Sequence, residues 1–190
     1  MKLKKHIRLL ISADGGAASG KTTGAKMISK KYDLNFLSSG LLYRYVCYKL
    51  LSKKNIKNKS LYLKSITKNI TRNKLNNNNL FNPQVTQHTS LIAQSKTIRN
   101  LLKKYQKNFA TRRLACIEGR DIGSVICPNA DIKFFFKCSL NVKARRRLNE
   151  FKKINKNITL KEVKNALKKR DLTDTKREIS PLRLPLSAYI

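Results

Sequence analysis

The sequence predicts an α/β domain built on a mainly parallel sheet. Three observations carry that prediction. Short apolar runs of strand length alternate with longer stretches of helical periodicity along the chain. The first run leads through a turn of small residues straight into a helix-like segment. The chain has 190 residues, 41% of them hydrophobic, which suits one domain with one sizeable core.

The elements follow in order. Ile7 to Ala13 is a compact apolar run with Arg8 its only charge, and reads as a short buried strand. Asp14-Gly15-Gly16-Ala17-Ala18-Ser19-Gly20 is the small-residue turn. Lys21 to Tyr32 places Ala25, Ile28 and Tyr32 near one helix face. Asn35 to Leu37 is a second strand, and Leu41 to Leu51 a helix with Leu42, Tyr45, Val46 and Leu50 on its apolar side. Lys53 to Asn82 is rich in Lys and Asn, with scattered Ile, Leu and Tyr. It is either a small surface subdomain or a floppy insertion, and its low complexity favours mobility. Val85 to Tyr105 resumes a helical pattern. Leu114 to Ile117 and Ile132 to Phe136 are further strands; Val142 to Phe151 and Leu160 to Leu167 are helices about a polar turn. No internal repeat is visible.

Charge and cysteine content narrow the function classes. Lys+Arg is 43 against 10 Asp+Glu, a formal net charge of +33, which suggests a polyanion partner: nucleic acid, membrane surface or phosphate. The excess is mostly Lys (30, with 13 Arg) and comes with 18 Asn, the pattern that AT-rich codons produce, so background composition explains part of it. Cys47, Cys116, Cys127 and Cys138 form no C-x-x-C pair, and His6 and His88 complete no metal spacing. Unpaired cysteines beside apolar runs predict reduced thiols in a cytoplasm. The apolar run at the N-terminus is too short and broken for a signal peptide, and no stretch of ~18 apolar residues offers a membrane span.

Gly15-x-x-x-x-Gly20-Lys21-Thr22 matches the phosphate-binding P-loop, in the right context between an apolar strand and a helix. Its backbone amides and the helix N-terminus can cradle phosphates, Lys21 can reach the β- and γ-phosphates, and the Thr22 hydroxyl can ligate Mg²⁺. A chance glycine-rich turn would share the small residues but has no need of the Lys-Thr that follows. The motif predicts a nucleoside triphosphate and leaves the second substrate open.

Arginine offers a planar bidentate fork to phosphate that lysine lacks. Arg44, Arg99, Arg120, Arg170 and Arg177 fall near strand ends or helix starts, where an open α/β sheet has its binding crevice. Any one of them, Arg99 above all, can be a solvated surface charge; as a set beside a P-loop they suggest a clamp on a second phosphorylated substrate. Asp14, Glu118, Asp121 and Asp174 stand out among so few acids. Asp14 or Asp121 could orient Mg²⁺ through water, and Asp121 could equally be a turn residue paired with a cation.

Four segments, in order, resemble the bacterial cytidylate kinases, P-loop nucleoside monophosphate kinases: Asp14 to Thr23; Ser38-Ser-Gly-Leu-Leu-Tyr-Arg44; Glu118-Gly-Arg-Asp-Ile-Gly-Ser-Val-Ile126; and Lys168-Lys-Arg-Asp-x-x-Asp-x-x-Arg177. The resemblance implies a three-layer α/β/α P-loop domain over 1–190, with a small acceptor-binding insertion at 53–90 and a lid at 142–172. It implies that Gly15, Gly16, Ala17, Ala18, Ser19, Gly20, Lys21, Thr22 and Thr23 bind ATP, with Mg²⁺ at Thr22. Arg44, Arg120 and Arg177 would hold the acceptor phosphate; Ser90, Arg99 and Asp121 would read cytosine; Arg170 and Asp174 would contact the ribose; Ser39 would touch the acceptor. Lys21, Arg120, Asp121 and Arg177 would be the catalytic set, and one or two of Arg145, Arg146 and Arg147 would close over the transferring group. The family usually carries Asp where this chain has Ser38 and Glu118. It also continues through a last strand and a closing helix beyond the region matching Ser187 to Ile190, which implies a frayed or uncovered sheet edge here.

The expected reaction is transfer of the γ-phosphoryl group of MgATP to CMP or dCMP, by a monomer acting on small molecules, with no membrane and no specific nucleic acid as partner. A kinase for UMP, AMP or a small metabolite shares the P-loop. A basic nucleic-acid binder would interleave aromatic and basic residues, yet Lys53 to Lys59 and Lys152 to Lys169 hold few aromatics and the chain has no Trp.

Overall fold

The structure, a computed structural model, describes residues 4, 6–152 and 157–190. Four strands, β1 (Leu9–Gly15), β2 (Asn35–Ser38), β3 (Leu114–Gly119) and β4 (Ile132–Phe136), pair in parallel in the order β2-β3-β1-β4. Alternation along each strand divides the core. In β3, Ala115 and Ile117 face one hydrophobic cluster with α2 (Ser39–Leu51) and α6 (Lys96–Ala110). Leu114 and Cys116 face the other, with Ile11 and Ala13 of β1 and Ala25 of α1 (Lys21–Tyr32). Burial on both faces is what an all-parallel sheet requires, and it explains strands that read as continuous apolar runs. The predicted α/β class with a parallel sheet between helical layers is the class observed.

The first strand begins at Leu9, two residues later than predicted. Ile7 N–H instead closes a turn onto the Lys4 carbonyl, and Leu9 N–H takes up the first rung by donating to Arg113.

The 53–82 segment departs most from expectation. It forms α3 (Lys59–Lys68), α4 (Arg72–Leu75) and a 3₁₀ turn (Asn78–Phe81), followed by α5 (Pro83–Ile92). Leu63, Ile66, Ile70, Leu75 and Leu80 are buried in the same cluster as Leu42 and Val46 of α2. Three of the asparagines that resemble low-complexity sequence cap helices through their side chains. Asn58 accepts from Leu61 N–H at 3.0 Å, Asn77 from Asn79 N–H at 2.9 Å and Asn82 from Val85 N–H at 2.7 Å. The pattern predicted as one helix over Val85 to Tyr105 is two, because Ser95 caps the start of α6.

Beyond β3 the chain makes a π-helical turn (Ile122–Ile126), then β4, then α7 (Leu140–Lys152) and α8 (Leu160–Lys176). Residues 153–156 of the predicted lid turn lie outside the described residues. The exposed start of α8 is fixed by a capping box in which Thr159 and Glu162 serve each other. Helices α7 and α8 bury Ala144, Val163 and Leu167 against Ala17 of the P-loop, forming a third cluster. The edge of β4 is not bare. Tyr189 N–H donates to the Lys133 carbonyl at 2.8 Å, Phe135 N–H donates to the Tyr189 carbonyl at 2.7 Å, and the Tyr189 ring lies 6.0 Å from that of Phe134. No described helix is long and apolar enough to cross a membrane.

Candidate active site

The carboxyl ends of the strands carry the loops that line a cleft of about 820 Å³. Nine basic and four acidic side chains line it, so the cleft favours an anion strongly. The wall formed by the P-loop is shaped by Gly20, whose φ of 91° few other residues adopt readily. Gly20 caps α1 without a side-chain partner, which leaves the first-turn amides of the helix for a ligand. Lys21 is buried and its ammonium donates to the Gly16 carbonyl at 3.1 Å. Burial, and then the Arg120 charge, push the Lys21 pKa down to about 7.

The opposite wall is a chain of alternating charge. Arg99 pairs with Asp121, Arg177 lies 3.5 Å from Asp121 and 3.7 Å from Asp174, and Arg120 Nε donates to Asp174 at 2.8 Å. The turn after β3 supplies Arg120 and Asp121, the last two turns of α8 supply Asp174, Arg177 caps that helix, and α6 supplies Arg99. Arg170, also on α8, is held down to about 10 by burial and by the Arg120 charge, and its buried Nε has no hydrogen-bond partner among the described residues. A buried guanidinium with an unmet donor, among more cations than anions, is arranged for an anionic ligand. Arg44 donates to the Leu80 carbonyl at 2.8 Å and to Thr86 at 2.9 Å, and lies over the Phe81 ring at 5.1 Å. The caps and buried leucines of the Asn-rich segment therefore position this arginine.

Most of the sequence-derived candidates meet in this cleft. Ala17, Ala18, Ser19, Gly20, Lys21, Thr22 and Thr23 line it on one side. Ser39, Arg44, Ser90, Arg99, Arg120, Asp121, Arg170, Asp174 and Arg177 line the rest. Gly15 and Gly16 lie behind the lining: a Cβ on Gly15 would meet the Phe136 carbonyl, and one on Gly16 would meet Asp171. Of Arg145, Arg146 and Arg147 on α7, the last two line the cleft, Arg146 beside Gly20, while Arg145 is exposed and outside it.

The acids sort differently from the sequence reading. Asp14 does not line the cleft. Its two oxygens accept from Ile122 N–H at 2.9 Å and Gly123 N–H at 2.7 Å, tying β1 to the turn after β3. Burial raises its pKa to about 6 despite those amides. Asp121 is taken up by two arginines. Glu118 lines the cleft, where its charge acts on Lys21 and the Ser38 hydroxyl donates to it. The sequence reading also passes over Tyr43, which is buried in the cleft wall with Arg99 5.4 Å from its ring centroid. Its place next to Arg44, one residue on along α2, was the available signal.

The family model for cytidylate kinase matches residues 11–190. A cytidylate kinase of Bartonella tribocorum is 37% identical over 182 residues, covering 95% of this chain and 85% of that one. One from Clostridium tetani is 32% identical, covering 93% and 83%. One from Fervidobacterium nodosum is 34% identical, covering 90% and 83%. These matches run through the P-loop, the turn after β3 and the α8 segment alike, and the chain belongs to the cytidylate kinase family, an enzyme of the nucleoside monophosphate kinase class.

Proposed function

We propose that the enzyme transfers the γ-phosphoryl group of ATP, taken with Mg²⁺, to CMP or dCMP, giving ADP and the cytidine diphosphate. The observation that carries this reading is the pairing of the P-loop wall with the Arg99–Asp121–Arg177–Asp174–Arg120 wall across one cationic cleft. Ala17 to Thr23 hold the triphosphate. Arg44, Arg120 and Arg177 hold the acceptor phosphate, and Arg170 with Asp174 contact the sugar. Ser39 sits at the start of α2, on the acceptor side. Residues 53–90 act as the acceptor-binding insertion and 142–172 as the lid.

Base choice follows from donor and acceptor chemistry. The exocyclic amine of cytosine is a donor, with the ring N3 acceptor next to it. Asp121 accepts and Arg99 donates, so the pair complements that edge, with the Ser90 hydroxyl as a third partner. Uracil presents a carbonyl where cytosine presents the amine, and that carbonyl would face the Asp121 carboxylate.

The residues present fit Mg²⁺ that arrives with ATP. The described residues hold no cluster of His, Cys, Asp and Glu that could bind a metal alone. Mg²⁺ bound through phosphates and waters needs only one or two protein oxygens, and Thr22 and Glu118 are available in the lining. When bound, the ion would neutralise charge between the β- and γ-phosphates. The chain's own contribution is alignment and electrostatics. Lys21 and the arginines offset charge on the transferred oxygens, and Arg146 and Arg147 close the cleft against water. No protein nucleophile is required.

ADP formation measured with CMP, dCMP, UMP, AMP and GMP in turn tests the reading. CMP or dCMP should stimulate ADP formation well above the rate with ATP alone, and UMP should do so less. Equal rates with and without CMP and dCMP would end it.

A further inference from the structure

The P-loop is held from behind by a carboxylate that the proposed chemistry does not use. Asp171 Oδ1 accepts from the Ala17 amide at 2.8 Å, and Oδ2 lies 2.6 Å from the Lys143 ammonium. A Cβ on Gly16 would come within 3.0 Å of Asp171 Oδ1 and of Lys143 Nζ, so the clasp closes directly over the loop backbone. The pair is largely shielded, the side chains of Lys143 and Asp171 being 13% and 25% exposed. Lys143 belongs to α7 and Asp171 to α8, and both helices also pack on Ala17 through Ala144, Val163 and Leu167. One residue away on α8, Arg170 turns into the cleft.

We propose that Asp171 is a positioning residue for the donor loop. Its carboxylate takes up the Ala17 amide and fixes the front of the P-loop against α7 and α8, so that the amides from Ser19 onward point into the cleft. The carboxylate touches neither substrate. Its two oxygens serve different partners, which separates a charge requirement from a hydrogen-bond requirement. Asn at this position keeps an oxygen for Ala17 and loses the ion pair with Lys143.

The inference rests on the proposed ATP donor, so the test combines kinetics with a measurement that needs no substrate. In the full chain, Asp171→Ala should raise the KM for ATP about tenfold, the scale of one lost hydrogen bond to a charged group, and leave the KM for CMP within twofold. Asp171→Asn and Lys143→Met should each stay within about threefold of wild type. Gly16→Ala, whose Cβ would press on the Asp171 carboxylate and the Lys143 ammonium while leaving both residues in place, should raise the KM for ATP as Asp171→Ala does. Amide hydrogen exchange of ligand-free Asp171→Ala should speed up over 15–20 while that of β3 stays unchanged. Unchanged exchange over 15–20, equal shifts in both KM values, or Asp171→Asn as damaged as Asp171→Ala would each overturn the inference. If Asp171→Ala does not fold, Gly16→Ala and Asp171→Asn decide it: unchanged exchange over 15–20 in Gly16→Ala, or a KM for ATP of Asp171→Asn about tenfold above wild type, would overturn the inference. A wild-type enzyme without CMP-dependent ADP formation would instead refute the functional reading, and the exchange result would still stand.

Discussion

Filling the cleft should change the protonation of Lys21. Burial and then the Arg120 charge hold its pKa at about 7, against 10.5 for an exposed lysine. At pH 8 a group with that pKa is roughly one-tenth protonated, and at pH 6 roughly nine-tenths. Phosphates on the loop supply the negative charge that the site lacks and return the ammonium to its charged form. Binding of ATP should therefore take up about 0.9 proton at pH 8, about half at pH 7 and about 0.1 at pH 6. Arg170, with a pKa of about 10, is already charged over this range and adds nothing. Calorimetric titrations in buffers of different ionisation enthalpy read the uptake directly, after subtraction of the ionisation of ATP itself. Lys21→Met should abolish it. No uptake at pH 8 in wild type, or equal uptake in wild type and Lys21→Met, would refute the reasoning.

Asp121→Asn removes the charge that faces two guanidinium groups and keeps the shape. Breaking a buried pair by removing one partner costs about 3–5 kcal/mol, and the remaining amide oxygen argues for the lower end. For a chain of this size that is a fall in melting temperature of roughly 6–12 °C, with a raised KM for CMP and an unchanged affinity for ATP. Arg146→Ala should lower kcat at least tenfold and Arg145→Ala by less than twofold, since only the first lines the cleft. Asp14 has its native pKa raised to about 6 from 3.8, so the folded state binds more protons than the unfolded state between those values. Its contribution to stability is full below about pH 3.8 and is lost as pH rises through about 6; chemical denaturation of Asp14→Asn should lack that component.

What the sequence reveals depends on how local the cause is. The P-loop, the turn after β3 and the α8 arginines are legible because each is a short motif whose chemistry needs fixed spacing. Most of them converge on one cleft. The Asn-rich segment misleads because composition cannot tell a capping asparagine from a solvated one. Asn58, Asn77 and Asn82 cap short helices whose leucines reach a core built mainly by α2 and α6. The break between α5 and α6 lacks Gly or Pro and is marked only by Ser95. The uses of Asp14, Glu118 and Asp171 depend on partners 108, 80 and 154 residues away in sequence, which no local pattern encodes. The pairing of Tyr189 with β4 is likewise a tertiary fact.

The central claim is that one cleft joins a P-loop donor to a cytidine monophosphate acceptor. Incubation with CMP and ATP labelled at the γ-phosphate, followed by separation of the nucleotides, tests it most directly. The account predicts label in the β-position of CDP, one for each ADP formed. Label found only in inorganic phosphate, or ADP formed without CDP, would contradict it.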